Sequence, residues 1–205
     1  MVHILEEIET YAKIENVPIM EKEGIEFLTN FIKENNIKTI LEIGSAIGYS
    51  SSKMALVNDD IKVTTIERDI KRYNKAVENI NKLSLNNQIN IYNEDALTFT
   101  TNDKFDLIFI DAAKSQYIKF FEKYSQNLNE NGYIVSDNIS FHGLVDGDYD
   151  TYSRNVKGLV RKLKNYITYL EENENYNTKF INIGDKIAIT TLSITCENVS
   201  NNLKY

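Results

Sequence analysis

Leu107-Ile108-Phe109-Ile110-Asp111 and Tyr133-Ile134-Val135-Ser136-Asp137-Asn138 are two apolar runs that both stop on a carboxylate. Short continuous apolar runs of this kind read as buried strands. As neighbours in one parallel sheet they would lie roughly 4.8 Å apart, so Asp111, Asp137 and Asn138 would offer three oxygen ligands to one point. That set suits a hard, octahedral cation such as Mg2+. Lys114 follows on the first turn after Asp111 and can lean over the same point. A metal beside an amine points to activation of an acidic hydroxyl.

Working outward, helix and strand patterns alternate along the chain with no linker, repeat or low-complexity segment. Two helices, at residues 2–15 and 21–35, are separated by Asn16-Val17-Pro18-Ile19-Met20, where the single proline breaks the pattern. Strand 39–43, helix 49–57, strand 62–67, helix 70–83 and strand 89–92 follow. Next come strand 106–111, helix 115–128, strand 133–137, a loop and a long helix from about Ser153 to Glu172. The chain closes with strands 179–183 and 186–192 around Gly184-Asp185, a hairpin signal. The expectation is an α/β fold: a doubly wound, mostly parallel seven-stranded sheet with a C-terminal antiparallel hairpin. Residues 1–205 read as one domain, with 1–36 packing on its core and about 193–205 forming a tail.

In such sheets ligands bind at the carboxyl ends of the strands. The first strand runs into Glu42-Ile43-Gly44-Ser45-Ala46-Ile47-Gly48-Tyr49-Ser50, where Gly44 and Gly48 allow a sharp turn and a close-lying ligand. The second ends on Glu67, placed to accept hydrogen bonds from two ribose hydroxyls. The third leads into Asn93-Glu94-Asp95-Ala96, which can set a carboxylate and a backbone amide beside an adenine. A dinucleotide loop would read G-x-G-x-x-G. Here Ala46 stands where the middle glycine should be, so a pyrophosphate fits poorly, whereas S-adenosylmethionine has the ribose and adenine but no phosphate.

Composition narrows the partners. Net charge is −7 over 205 residues, which argues mildly against nucleic acid. Charge is unevenly spread, however: Arg154, Lys157, Arg161, Lys162 and Lys164 fall in a stretch without an acid, at spacings that share a helix face. That stretch reads either as the solvated side of an amphipathic helix or as a polyanion-binding surface. No apolar stretch is long enough for a membrane span, and the acidic N-terminus is unlike a signal peptide, so a cytoplasmic location is expected. Cys196 is the only cysteine, which excludes an intrachain disulfide and a cysteine-based zinc site; it reads as inert. His142 reads more readily as exposed than as a substrate contact.

With these residues in view, the sequence resembles the cation-dependent O-methyltransferases, the family of catechol and caffeoyl-CoA methyltransferases, over roughly residues 2 to 192. Glu42 through Ser50 is similar to that family's cofactor loop, Glu67 to its ribose-binding acid and Asp95-Ala96 to its adenine-side segment. Asp111-Ala112-Ala113-Lys114 resembles its metal-binding aspartate and catalytic lysine, and Asp137-Asn138 its two further ligands. Within the family the likeness extends to the branch that methylates 5-hydroxyuridine in bacterial tRNA, through Val17 to Lys22, Ile110 to Tyr117 and the basic stretch after Tyr152.

The resemblance implies a class I, Rossmann-like methyltransferase that uses S-adenosyl-L-methionine and Mg2+ or another divalent cation, and that forms a homodimer. It implies Glu42, Gly44, Gly48, Ser50, Glu67, Asp95, Ala96 and Asp111 around the cofactor, Asp111, Asp137 and Asn138 around the metal, and Lys114 with Asp111 in catalysis. A tRNA anticodon arm would lie on Arg154, Lys157, Arg161 and Lys162. The alternative acceptor is a small catechol, phenol or CoA thioester. Chemistry allows either, because 5-hydroxyuracil carries its hydroxyl beside the C4 carbonyl and can chelate a metal much as a catechol does.

Overall fold

Thr39–Ile43 forms the strand β1 on which the rest of the sheet is built, because its residues are apolar on both faces apart from Thr39 at its start and Glu42. A strand buried on both faces belongs at the centre of a parallel sheet. In the computed structural model, which describes residues 2–148 and 151–193, β1 pairs in parallel with β2 (Lys62–Ile66) on one side and with β4 (Phe105–Ile110) on the other. Strand β3 (Ile89–Tyr92) extends the β2 side, and β5 (Leu128–Ser136) extends the β4 side. The final pair, β6 (Tyr176–Ile181) and β7 (Ile187–Leu192), is antiparallel, giving the order β3-β2-β1-β4-β5-β7-β6. The expected seven-stranded, mostly parallel sheet with its terminal hairpin is borne out.

Alternation along the strands divides the core into two layers. Ile40, Val63, Leu107, Phe109, Val135 and Ile187 face helices α1 (Val2–Ile14), α2 (Lys22–Glu34), α3 (Tyr49–Ala55) and α4 (Ile70–Lys82). Leu41, Ile43, Ile66, Ile108, Ile110 and Ile134 face α5 (Tyr117–Tyr124) and α6 (Arg154–Glu171). Burying side chains of this size is worth roughly 1.5–3 kcal/mol each before the entropy of ordering is subtracted. Local signals fix the helix starts: Asp69 accepts the amides of Lys71 and Arg72 as an N-cap on α4, and Ser153 accepts that of Val156 on α6. Among the described residues no helix is long and apolar enough to cross a membrane.

Three elements differ from the sequence reading by more than two residues. The helix expected over 115–128 is split into a single 3-10 turn at Lys114–Gln116, the helix α5, and a second 3-10 turn at Ser125–Asn127. Strand β5 begins at Leu128, not Tyr133, and its register with β4 slips between the Phe105 and Leu107 pairs, so Asn129 to Gly132 is carried as an irregularity inside the strand. Strand β6 begins at Tyr176, where a Thr178–Thr190 hydroxyl hydrogen bond of 2.8 Å lengthens the pairing with β7. Cys196 and most of the expected tail lie outside the described residues.

Candidate active site

The register between β4 and β5 sets Ile110 opposite Ser136, so both strands end level and release Asp111 and Asp137 side by side. Their backbones stay tied to the sheet: Asp111 N–H donates to Ile43 at 3.1 Å and Asp137 N–H to Ile110 at 3.1 Å. Asp137 is buried, and burial together with the neighbouring Asp111 pushes its carboxyl up to about 7. Asp111 is also raised by burial, with Lys114 pulling the other way. Two desolvated carboxylates side by side, with Asp111 raising Asp137, make a place where a positive charge is favoured. Asn138 follows in the left-handed region, φ 64°, and its Oδ1 is buried without a hydrogen-bond partner. An orphaned amide oxygen beside two such carboxylates fits a hard divalent cation. The set holds two carboxylates and one amide, and among the described residues no three His, Cys, Asp or Glu side chains are grouped so that they could hold a metal ion.

A cavity of about 300 Å³ opens beside this point, and Asp111, Lys114 and Asn138 line it. The loop after β1 forms another wall. Gly44 there takes φ 95°, and a Cβ on it would stand 2.4 Å from the Asp111 carbonyl oxygen, so the residue must be glycine. Glu67 lies at the end of β2, with Oε2 accepting the Ala46 amide at 2.9 Å and Oε1 the Asp69 amide at 2.8 Å. Each oxygen keeps a further lone pair, so the carboxylate is held in place and can still accept from a ligand. Asp95 accepts from Leu97 N–H at 2.8 Å, while Tyr124 Oη donates to the Ala96 carbonyl at 2.6 Å and steadies that segment from α5.

Of the residues expected around a cofactor, Gly44, Ser50, Glu67, Asp95, Ala96 and Asp111 line the cavity. Glu42 and Gly48 stand behind it. Glu42 is fully buried and accepts the hydroxyls of Ser50 and Thr65, with burial pushing its carboxyl up to about 7. Gly48 caps the start of α3 at φ 77° and packs on Ala76. Arg154, Lys157, Arg161 and Lys162 lie on α6 and do not line the cavity. Arg154, Arg161 and Lys162 are exposed, and Lys157 is partly so.

Some lining residues carry no site role in the sequence reading. Pro18, Ile19 and Met20 close the cavity from between α1 and α2, and Arg72, Gln116 and Phe120 complete it from α4, the turn after β4, and α5. The proline break was a visible signal for the first group. Nothing local marks the others, because only the packing of α4 and α5 brings them to the strand ends. His142 has a side chain 70% exposed, while its backbone N–H donates to Asp185 at 2.6 Å.

The sequence model of a family described as O-methyltransferase matches residues 2–192. The chain belongs to that O-methyltransferase family. An Arabidopsis thaliana relative, provisionally named a caffeoyl-CoA O-methyltransferase, is 30% identical over 188 residues, covering 89% of this chain and 81% of its own. A Staphylococcus aureus crystal structure provisionally assigned the same name is 38% identical with a TM-score of 0.88, covering 92% of each chain. At the level of fold alone, a Podospora anserina methyltransferase solved with S-adenosylhomocysteine (SAH) bound superposes with a TM-score of 0.83 at 22% identity, covering 94% of this chain and 87% of that one. For an O-methyltransferase, the cavity at the strand ends, with its glycine loop and Glu67, lies where this sheet topology receives a nucleoside-bearing ligand.

Proposed function

We propose that this O-methyltransferase moves a methyl group from S-adenosyl-L-methionine to the 5-hydroxyl of wobble 5-hydroxyuridine in tRNA, giving 5-methoxyuridine, with the help of Mg2+ or another divalent cation. The observation that carries the chemistry is the buried, unpartnered Asn138 Oδ1 beside Asp111 and Asp137, on a cavity shared with Lys114. When bound, the sulfonium cofactor supplies an electrophilic methyl group and the cation stabilises the oxyanion of a chelating hydroxyl. Asp111, Asp137 and Asn138 would hold the cation. Gly44, Ser50, Glu67, Asp95 and Ala96 bind and orient the cofactor, with Glu67 taking the ribose hydroxyls. Lys114 Nζ removes the acceptor's hydroxyl proton, and the remaining acceleration comes from holding donor and acceptor in line.

The tRNA assignment rests on the basic side of α6. Arg154, Lys157, Arg161 and Lys162 have no acidic partner among the described residues, and α6 packs against the turn that carries Lys114. Unneutralised cations beside an active-site element support a phosphate-bearing substrate. A single-stranded anticodon base also costs little to present to a pocket. The names of the relatives favour a second reading, a small catechol, phenol or CoA thioester as acceptor. Mass analysis of tRNA nucleosides from cells lacking the protein separates the two. Loss of 5-methoxyuridine with gain of 5-hydroxyuridine supports the tRNA reading, and an unchanged nucleoside profile overturns it in favour of the small acceptor.

A further inference from the structure

The turn between β6 and β7 carries Asp185, a carboxylate only 9% exposed that the methyl-transfer chemistry leaves without a role. Its Oδ1 accepts the His142 N–H at 2.6 Å, and its backbone carbonyl accepts the Ser140 N–H at 3.0 Å. The Lys186 carbonyl accepts the Ile139 N–H at 3.2 Å, and Lys186 Nζ reaches Asp146 Oδ2 at 2.9 Å. The chain leaving Asn138 is thus bonded to this one turn at residues 139, 140, 142 and 146. The turn in turn rests on α2: a Cβ on Gly184 would stand 3.7 Å from the Gly24 nitrogen.

That fastening meets a backbone that needs it. Phe141 and His142 both sit in the left-handed region, at φ 50° and 55°, which is disfavoured for residues carrying a Cβ. Such a conformation persists only where the surroundings over-determine it. The Asp185 carboxylate is the side-chain group that grips the His142 amide, and the Phe141 ring just before it lies 6.0 Å from Lys114 Nζ.

The geometry points to Asp185 as a positioning residue for the acceptor half of the site: through the His142 amide it holds the 139–146 loop so that Phe141 stands against Lys114. Its own side chain does not line the cavity. The inference rests on the O-methyltransferase reading above, with Lys114 at the acceptor. Asparagine at position 185 retains an oxygen for the His142 amide. Alanine retains none, yet leaves the backbone bonds of Ile139 and Ser140 in place.

Wild type, Asp185→Asn and Asp185→Ala are compared by hydrogen exchange across residues 139–146, by calorimetric affinity for SAH, and by kcat and KM for hydroxyuridine-containing tRNA and for catechol. The Ala variant is expected to exchange about tenfold faster in the loop and to show a KM for the acceptor raised about tenfold, the worth of a hydrogen bond to a charged acceptor. Its SAH affinity stays within about twofold of wild type, and Asp185→Asn is close to wild type throughout. Unchanged exchange and KM in the Ala variant overturn the inference. So do equal damage from Asn and Ala, or a matching loss of SAH affinity. A wild-type enzyme that methylates neither acceptor contradicts the parent reading instead, and the exchange comparison then judges Asp185 alone.

Discussion

Glu67 Oε2 accepts the backbone N–H of Ala46 at 2.9 Å, tying the end of β2 to the glycine loop that follows β1. One carboxylate therefore both shapes the loop and faces the cavity. Glu67→Ala should weaken SAH binding by about 2–4 kcal/mol, since two hydroxyl hydrogen bonds to a charged acceptor go with it. Calorimetry reads this directly, and unchanged affinity would mean that the ribose lies elsewhere. NADH should bind poorly to wild type, because the loop is not built for a pyrophosphate.

The carboxylate pair at the ends of β4 and β5 predicts a thermal shift. Mg2+ binding to the folded state alone raises the melting temperature, and it should do so for wild type but not for Asp111→Ala. The metal-free protein carries the cost of the pair. Asp137, raised in the fold from 3.8 to about 7, contributes stability below its unfolded pKa and loses it as pH rises through about 7. Asp137→Asn should therefore melt higher than metal-free wild type at pH 8 while losing methyl transfer. A lower melting temperature would contradict the desolvation argument.

Lys114→Ala should cut kcat by roughly 10² to 10⁴-fold, the usual worth of a positioned base. SAH affinity should barely change, because the proposed contacts to ribose and adenine lie on other residues. Single-turnover kinetics beside calorimetry would separate the two effects. A loss confined to binding would remove Lys114 from the proton transfer.

Glu42, behind the cavity, gives a second pH test. It is fully buried and raised from 4.5 to about 7, so its contribution is fully present below about pH 4.5 and is lost as pH rises through about 7. Glu42→Gln removes that dependence. Denaturant unfolding should show the variant gaining on wild type between pH 5 and pH 8, by up to roughly 3 kcal/mol. Parallel stability curves for the two proteins would mean that Glu42 ionises as freely in the fold as outside it.

Legibility from sequence followed the physics of each signal. Ile108 to Asp111 and Ile134 to Asp137 are legible because a central parallel strand must be apolar on both faces, and the ends of β1, β2, β3 and β5 point in the same way to Gly44, Glu67, Asp95 and Asn138 as candidates. Asn129-Glu130-Asn131-Gly132 has the composition of a turn, yet pairing with β4 carries it into β5. Helix 115–128 looked continuous because its apolar residues keep a helical spacing, while the 3-10 turn at Lys114–Gln116 reflects how the chain bends from β4 onto α6. Phe120, Arg72 and Met20 reach the cavity through packing between distant elements, which no local pattern encodes. Glu42 shows the opposite difficulty: its motif is legible, but only the fold reveals that the carboxylate turns inward to Ser50 and Thr65.

The most direct measurement is methyl transfer from S-adenosylmethionine to hydroxyuridine-containing tRNA, beside a simple catechol, in Mg2+ and in excess EDTA, for wild type and for the variant with Arg154, Lys157, Arg161 and Lys162 all changed to Ala. The account predicts 5-methoxyuridine in tRNA from wild type with Mg2+, none in EDTA, and a raised KM for tRNA in the quadruple variant. The variant's log-log salt slope should soften by roughly 0.7 to 0.9 for each phosphate it no longer neutralises. Full activity in EDTA would contradict the metal mechanism. Efficient catechol turnover without tRNA turnover, indifferent to the four substitutions, would contradict the tRNA assignment.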